Sequence, residues 1–319
     1  MNRSVLPSAL LTLLAGLFLA VQTRANGSLA GVLGHGLFAA AVSFGLGFVA
    51  LLIGLAFNPR ARTALRDLIG HLRSGVTPWW GVLGGLGGAS VVVAQGLTVT
   101  YIGVAVFTMC FICGQLIGAI AVDMTWVSPN GPIRPSRRRI LGTAIVLVGV
   151  LVSTLAGGVA EIPVWAPIFP ILAGGLSAVQ QAVNGRVRAR VHSAYAATFV
   201  NFLVGFSALL VVAVVTAIIL GPPQAVPGPA QLWMLTGGLL GVGVIFVNAV
   251  TVGRLGVLLL SLLSLVGNLG GSVLLDLAIP GQAPVTWWTG LSLALVLIGV
   301  LVTMHRGQWL RLRRRRSVR

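Results

Sequence analysis

The chain has 319 residues, 57% of them hydrophobic, and 43 glycines raise the apolar-plus-glycine share to about 70%. Charged side chains make up only 8%, against about 25% in an ordinary soluble domain, and the 21 basic residues, all Arg, face four carboxylates (Asp67, Asp123, Glu161, Asp276) for a formal charge of +17. So few charges cannot coat a water-soluble globule, and so apolar a chain is not disordered; an all-α polytopic membrane protein is left.

Taken in chain order, ten apolar stretches are long enough to cross a bilayer core of ~30 Å: residues 5–31, 37–57, 79–100, 103–124, 140–159, 164–186, 195–220, 233–252, 255–279 and 287–305. The first, with Arg3 before it and small residues near Ala25, has the look of a signal peptide. It is expected to stay, because the second half of the chain has an equivalent helix that no signal peptidase would meet. Between the second and third spans, Ala61, Ala64, Leu65, Leu68, Ile69 and Leu72 follow helical spacing, with Arg62, Arg66, Asp67 and Arg73 on the other face. That pattern predicts a short interfacial amphipathic helix. Cys110 and Cys113 lie in the fourth span without a second pair, so a packing role is expected rather than redox or metal chemistry. His35, His71, His192 and His305 lie at span ends or in loops without ligand spacing, and neither a metal nor any other cofactor is expected. The basic tail from Arg311 reads as an anchor on anionic lipid.

The arginines come in bursts between apolar stretches, which argues against a nucleic-acid surface and for the positive-inside rule. With the N-terminus inside, ten spans place 20 of the 21 Arg on the cytoplasmic side and leave only Arg24 outside. Both termini are therefore expected in the cytoplasm. All eight Trp residues fall at span ends, as an interfacial aromatic belt requires.

The chain is one unit written twice. A shift of 158 aligns Gln22-x3-Asn26-Gly27 with Gln180-x3-Asn184-Gly185, and Val42-Ser43-Phe44 with Val200-Asn201-Phe202. A shift of 153 aligns Trp80-x3-Gly84-Gly85 with Trp233-x3-Gly237-Gly238, then Gly114, Gly118 and Asp123 with Gly267, Gly271 and Asp276. A shift of 150 brings Gly149-Val150-Leu151-Val152 onto Gly299-Val300-Leu301-Val302. The units are residues 1–159 and 160–319, five spans each. An odd number forces opposite insertion, so ten transmembrane helices are expected as two inverted five-helix repeats, with a solute site near the midplane.

Q-x3-N-G, a Phe/Gly-rich second span, W-x3-GG and G-[QN]-x2-G-x4-D, each present twice, resemble the YdcZ-type family of the drug/metabolite transporter superfamily. That family's usual form is a five-span unit, and this chain resembles two units fused. The resemblance implies an inner-membrane exporter of a small solute, whose first, third, fourth, sixth, eighth and ninth spans surround the cavity.

Polar groups inside a membrane face a cavity or a partner helix. The recurring set is mostly amide: Gln22, Asn26, Gln180, Asn184, Gln95, Asn248, Gln115 and Asn268, joined by Ser43/Asn201 and Thr98/Thr251. Gln22 and Asn26 share one helix face. They either line the cavity and bind solute or make interhelical hydrogen bonds. Gly27 and Gly185 weaken the helices just beyond, a place where transporter helices break. No carboxylate lies in the middle of a span. Asp123 and Asp276 sit near opposite faces and read either as helix ends at the interface or as gates, Arg24 with Asp276 outside and Asp123 with an Arg such as Arg186 inside. The Gly pairs 81/85, 84/88, 114/118, 237/241 and 267/271 have the spacing that lets helices approach closely.

No H-E-x-x-H, G-x-S-x-G or paired carboxylates suggest an enzyme, and no catalytic residue is expected. Neither a charge ring nor a filter repeat suggests a channel. A secondary transporter working by alternating access is the reading the residues support; a non-transporting scaffold that keeps the fold is the alternative. The expected partners are the bilayer and a small solute, with the chain as monomer or homodimer.

Overall fold

The computed structural model describes residues 5–129, 131–155, 165–278 and 287–304, excepting the side chains at 96, 99, 100, 103–105, 153–155, 276, 289 and 304. Ten α-helices and no strand occur among the described residues. They are α1 (Val5–Leu33), α2 (Gly36–Ala56), α3 (Pro59–Arg73), α4 (Gly85–Met124), α5 (Arg137–Leu155), α6 (Ile168–Val191), α7 (Ala194–Leu220), α8 (Thr236–Leu255), α9 (Val257–Ala278) and α10 (Trp287–Met304). By length and composition, six helical segments can cross a membrane, and Gly85–Gln95 and Gly290–Thr303 are shorter apolar helices. The boundary between the two units, the basic tail, Glu161, His305 and Trp309 lie outside the described residues.

Local chemistry sets the helix starts. Asn58 accepts from the N–H of Ala61 at 3.0 Å with Pro59 following it, a strong start signal for α3. Ser193 does the same for Ala196 at the start of α7. The helix expected between the second and third spans is α3: Ala61, Ala64 and Leu68 are buried, and Ala64 and Leu68 pack toward Val187, Val191 and Ala249. Arg60, Arg62, Arg66 and Asp67 stay exposed on its other face.

Two expectations need correction. The break near Gly27 and Gly185 does not occur, since α1 and α6 run through both positions. One glycine lowers helix propensity by only about 1 kcal/mol, less than a long apolar helix recovers from its own ladder in lipid. The third and fourth spans, expected as separate helices at 79–100 and 103–124, are helical without interruption over Gly85–Met124, preceded by a short 3-10 turn at Trp79–Val82.

That helix nevertheless reverses direction. Gly84 and Gly88 meet Asn184 and Gln180 of α6, an antiparallel register, whereas Gly114 and Gly118 meet Ile171 and Gly175, a parallel one. Gly88 and Gly118 are 30 residues apart, which would be about 45 Å in a straight helix. Both lie on the same two turns of α6, so α4 bends into a V around it. The other half makes the same V from α8 and α9, joined at Gly256, whose φ of +78° a side chain would resist. There α1 occupies the mouth: Asn26 and Gln22 meet Gly237 and Gly241, and Gly16 packs on Gly267 and Asn268. The first helix of each unit is therefore seated in the hairpin of the other.

The matching extends to helices that meet their own equivalents. Phe44 and Phe202 lie with ring centroids 5.1 Å apart, and Phe48 stacks on Phe206 at 5.8 Å. From Gly45 on Phe206 through Gly47 on Phe202 to Gly54 on Tyr195, α2 meets α7 in reverse order, so the two helices run antiparallel, and Gly45, Gly47 and Gly205 supply the notches for the rings. Helices α5 and α10 likewise run antiparallel, with Gly142 on Gly299 and Gly149 on Leu295. Val146 and Val296, equivalents of each other, are both fully buried at that crossing.

Of the Trp residues described, 79, 126, 165, 233, 287 and 288 are exposed, and Trp80 meets Trp126 edge-on at 5.3 Å. An apolar exterior carrying Leu, Ile and Val between such Trp ends is the surface a bilayer requires.

Candidate functional site

Glycine notches position the amides. Asn26 and Gln22 fit against Gly237 and Gly241, while Asn184 and Gln180 fit against Gly84 and Gly88. A methyl group at Gly84 would lie 2.6 Å from Asn184 Oδ1, and one at Gly241 would lie 2.9 Å from Gln22 Nε2. The helix backbone therefore approaches each amide as closely as only glycine permits. Lower on α1, the hydroxyls of Thr12 and Thr251 meet at 3.2 Å.

The two equivalent clusters differ in how their hydrogen bonds close. Gln180 Nε2 and Asn184 Nδ2 both donate to Asn201 Oδ1, at 2.9 and 2.8 Å, and all three residues are buried. In the other half, Gln22 Oε1 and Asn26 Oδ1 are buried atoms without a partner. Asn248 Oδ1, Asn268 Oδ1 and Ser264 Oγ are also buried and unpartnered. Gln115 Nε2 reaches Ser177 Oγ at the long distance of 3.5 Å, and Gln95 is exposed. An unpaired buried polar atom costs about 1–3 kcal/mol, so this group of acceptors is a standing demand for donors.

Asn201 and Gln181 were not among the residues expected to matter most. Asn201 lies on α7, outside the helices that the resemblance placed around the cavity, yet two amides converge on it. Gln181 Oε1 accepts from Ser261 Oγ at 2.9 Å and links α6 to α9. Its equivalent in the first unit is Thr23, so it has no amide counterpart in the repeat.

Asp123 is fully buried at the end of α4. Its partner is Arg139 of α5 at 2.5 Å, and it also accepts from the backbone N–H of Val257 at 2.9 Å and of Leu258 at 3.2 Å. Ser128 Oγ lies 3.5 Å away. Arg186, the expected partner, instead donates to the Trp126 carbonyl and sits 5.1 Å over the Trp126 ring. It also lines a shallow depression with Thr77, Trp80, Val183 and Arg190, where Arg190 donates to Thr77 Oγ1 at 2.6 Å. At the other end Arg24 is half-buried on α1, and the side chain of Asp276 lies outside the described residues.

Two segments of the chain, residues 8–152 and 165–302, match a family model described as "Putative inner membrane exporter, YdcZ". No curated protein matches the chain significantly. A solved structure, described only as the crystal structure of a protein, superposes with a TM-score of 0.68 over 94% of this chain and 98% of its own, at 19% identity. That likeness extends to the fold.

Proposed function

The chain belongs to the YdcZ family of inner-membrane exporters through both of its halves, and from that premise we propose that it is a secondary transporter exporting a small polar metabolite or drug by alternating access. Ten spans form two inverted five-helix repeats, residues 1–159 and 160–319, with both termini cytoplasmic. The antiparallel contacts of α2 with α7 and of α5 with α10 support this, because a two-fold axis in the membrane plane lays equivalent helices across each other. The Arg distribution supports the orientation.

One observation carries the reading. The two interlocked V's match contact for contact but are closed differently, one by Asn201 and the other by nothing among the described residues. Two equivalent environments in unequal states are what alternating access needs: in the opposite state the halves exchange them. The solute cavity is bordered by Gln22, Asn26, Gln180, Asn184, Gln95, Asn248, Gln115 and Asn268. Asp123, held by Arg139, latches the cytoplasmic end, with Arg186 on Trp126 beside it, and Arg24 with Asp276 forms the outer latch.

The test is a solute screen on the purified protein in liposomes, with and without a pH gradient. Flux should fall at least tenfold on Gln22→Leu or Gln180→Leu; flux indifferent to both changes and to the gradient rejects the cavity. For the outer latch, Arg24→Asp and Asp276→Arg should each impair transport, and the double exchange should recover part of it. A double exchange no better than the singles removes that pair from the mechanism.

A further inference from the structure

Ser43 and Asn201 are equivalents across the 158-residue shift, as are Gln22 with Gln180 and Asn26 with Asn184. Around Asn201 the amides of α6 are clasped: its Oδ1 receives both Gln180 and Asn184, while its own Nδ2 is left buried without a partner. Ser43 is as deeply buried as Asn201 and its carbonyl packs on Gly238 as that of Asn201 packs on Gly85. Its hydroxyl is one bond shorter than an Asn side chain, and it donates to neither Gln22 Oε1 nor Asn26 Oδ1, both of which stay unpartnered.

We infer that this outer amide pair binds a neutral solute rich in hydroxyl or N–H donors, and that Ser43 determines this by leaving Gln22 and Asn26 unclasped. The chemistry follows from what is unsatisfied. Gln22 and Asn26 are one helical turn apart on α1, so their oxygens can receive two donors of one molecule. Asn248 Oδ1 continues the row, one heptad along α8 from Gly241, and Asn268 Oδ1 follows on α9 where Gly16 packs. The amide row carries no charge of its own to balance an ion, and among the described residues the buried carboxylate, Asp123, is already filled by Arg139 and two α9 N–H groups. An anion meets unclaimed oxygens of the same polarity. A polyol, nucleoside or similar neutral molecule supplies donors without a charge to strand in a low-dielectric site.

The inference rests on the transporter reading for movement and on geometry alone for binding, and the experiment separates the two. Full-length protein in detergent is compared with Ser43→Asn and Ser43→Ala by thermal unfolding, without solute and with millimolar sorbitol, myo-inositol, uridine or tetraethylammonium, followed by flux in liposomes. Ser43→Asn should raise the melting temperature without solute, because it supplies the clasp that Asn201 gives the other half. It should also weaken the solute-induced shift at least tenfold in concentration. Ser43→Ala adds no bulk and should bind within about twofold of the parent. Tetraethylammonium, which has no donor, should shift none of them. The inference is overturned if no donor-bearing probe shifts the parent, if tetraethylammonium shifts it as well as they do, or if Ser43→Asn binds like the parent. It is equally overturned if Ser43→Asn loses binding while losing stability, which is damage and not a clasp. Binding as expected with no flux of any probe upholds the site and rejects transport.

Discussion

Four donors converge on Asp123: the Arg139 guanidinium, the Ser128 hydroxyl and the N–H groups of Val257 and Leu258 at the start of α9. A buried carboxylate with this many partners is tolerable, and the positive end of α9 adds to its stabilisation. Removing one partner strands the other's charge. Arg139→Ala should therefore cost about 3–5 kcal/mol, read as a lowered denaturation midpoint in detergent, while Arg137→Ala and Arg138→Ala, both exposed, should stay within about 0.5 kcal/mol. That Asp123 matters was legible in its repetition as Asp276. Its partner was not, because the Arg bursts at 134–139 and 186–190 both fall at the expected cytoplasmic end, and only the rotational phase of α5 turns Arg139 inward. The same limit applies to Asn201: spacing shows that an amide is inside the membrane, not which neighbours will share it.

At the scale of the element, glycine decides which helices touch. A methyl group at Gly114 would collide with the Ile171 carbonyl, and one at Gly267 with the Leu13 carbonyl, so these equivalents hold α6 and α1 in their V's by backbone contact. Gly114→Ala and Gly267→Ala should each sharply reduce the yield of monodisperse protein on size-exclusion chromatography. Gly70 of α3 is the counter-case, since a methyl there meets nothing within 4 Å. Gly70→Ala should raise stability by about 0.5–1 kcal/mol, seen as a higher melting temperature with transport unchanged. Hydropathy located these helices, and the small-residue spacing marked the close approaches. The reversal within α4 was legible, since 79–100 and 103–124 read as two spans; what stayed hidden is that helix continues through Tyr101-Ile102-Gly103, which carries no proline.

At the scale of the whole molecule, residues 1–159 and 160–319 share one core: buried Val146 and Val150 cluster with Val257, Leu258, Val296 and Val300. Co-expressed as separate polypeptides, the two halves should copurify through a tag on either one, and Arg139→Ala in the first should weaken that association. Recovery of each half alone as a stable monomer would contradict the interlock. The seating of α1 between α8 and α9 also bears on how the protein is made. Helix α1 leaves the ribosome before α8 and α9, and its seat is completed 245 residues later, between Leu33 and Ala278. At typical synthesis rates that is a wait of roughly 12–50 s. During that interval an amide-bearing helix stands in lipid without its cradle. A neighbouring nascent copy carries the same cradle, so insertion at high density invites two chains to exchange first helices, and the spacing of ribosomes on the message becomes a determinant of whether single or entwined molecules accumulate.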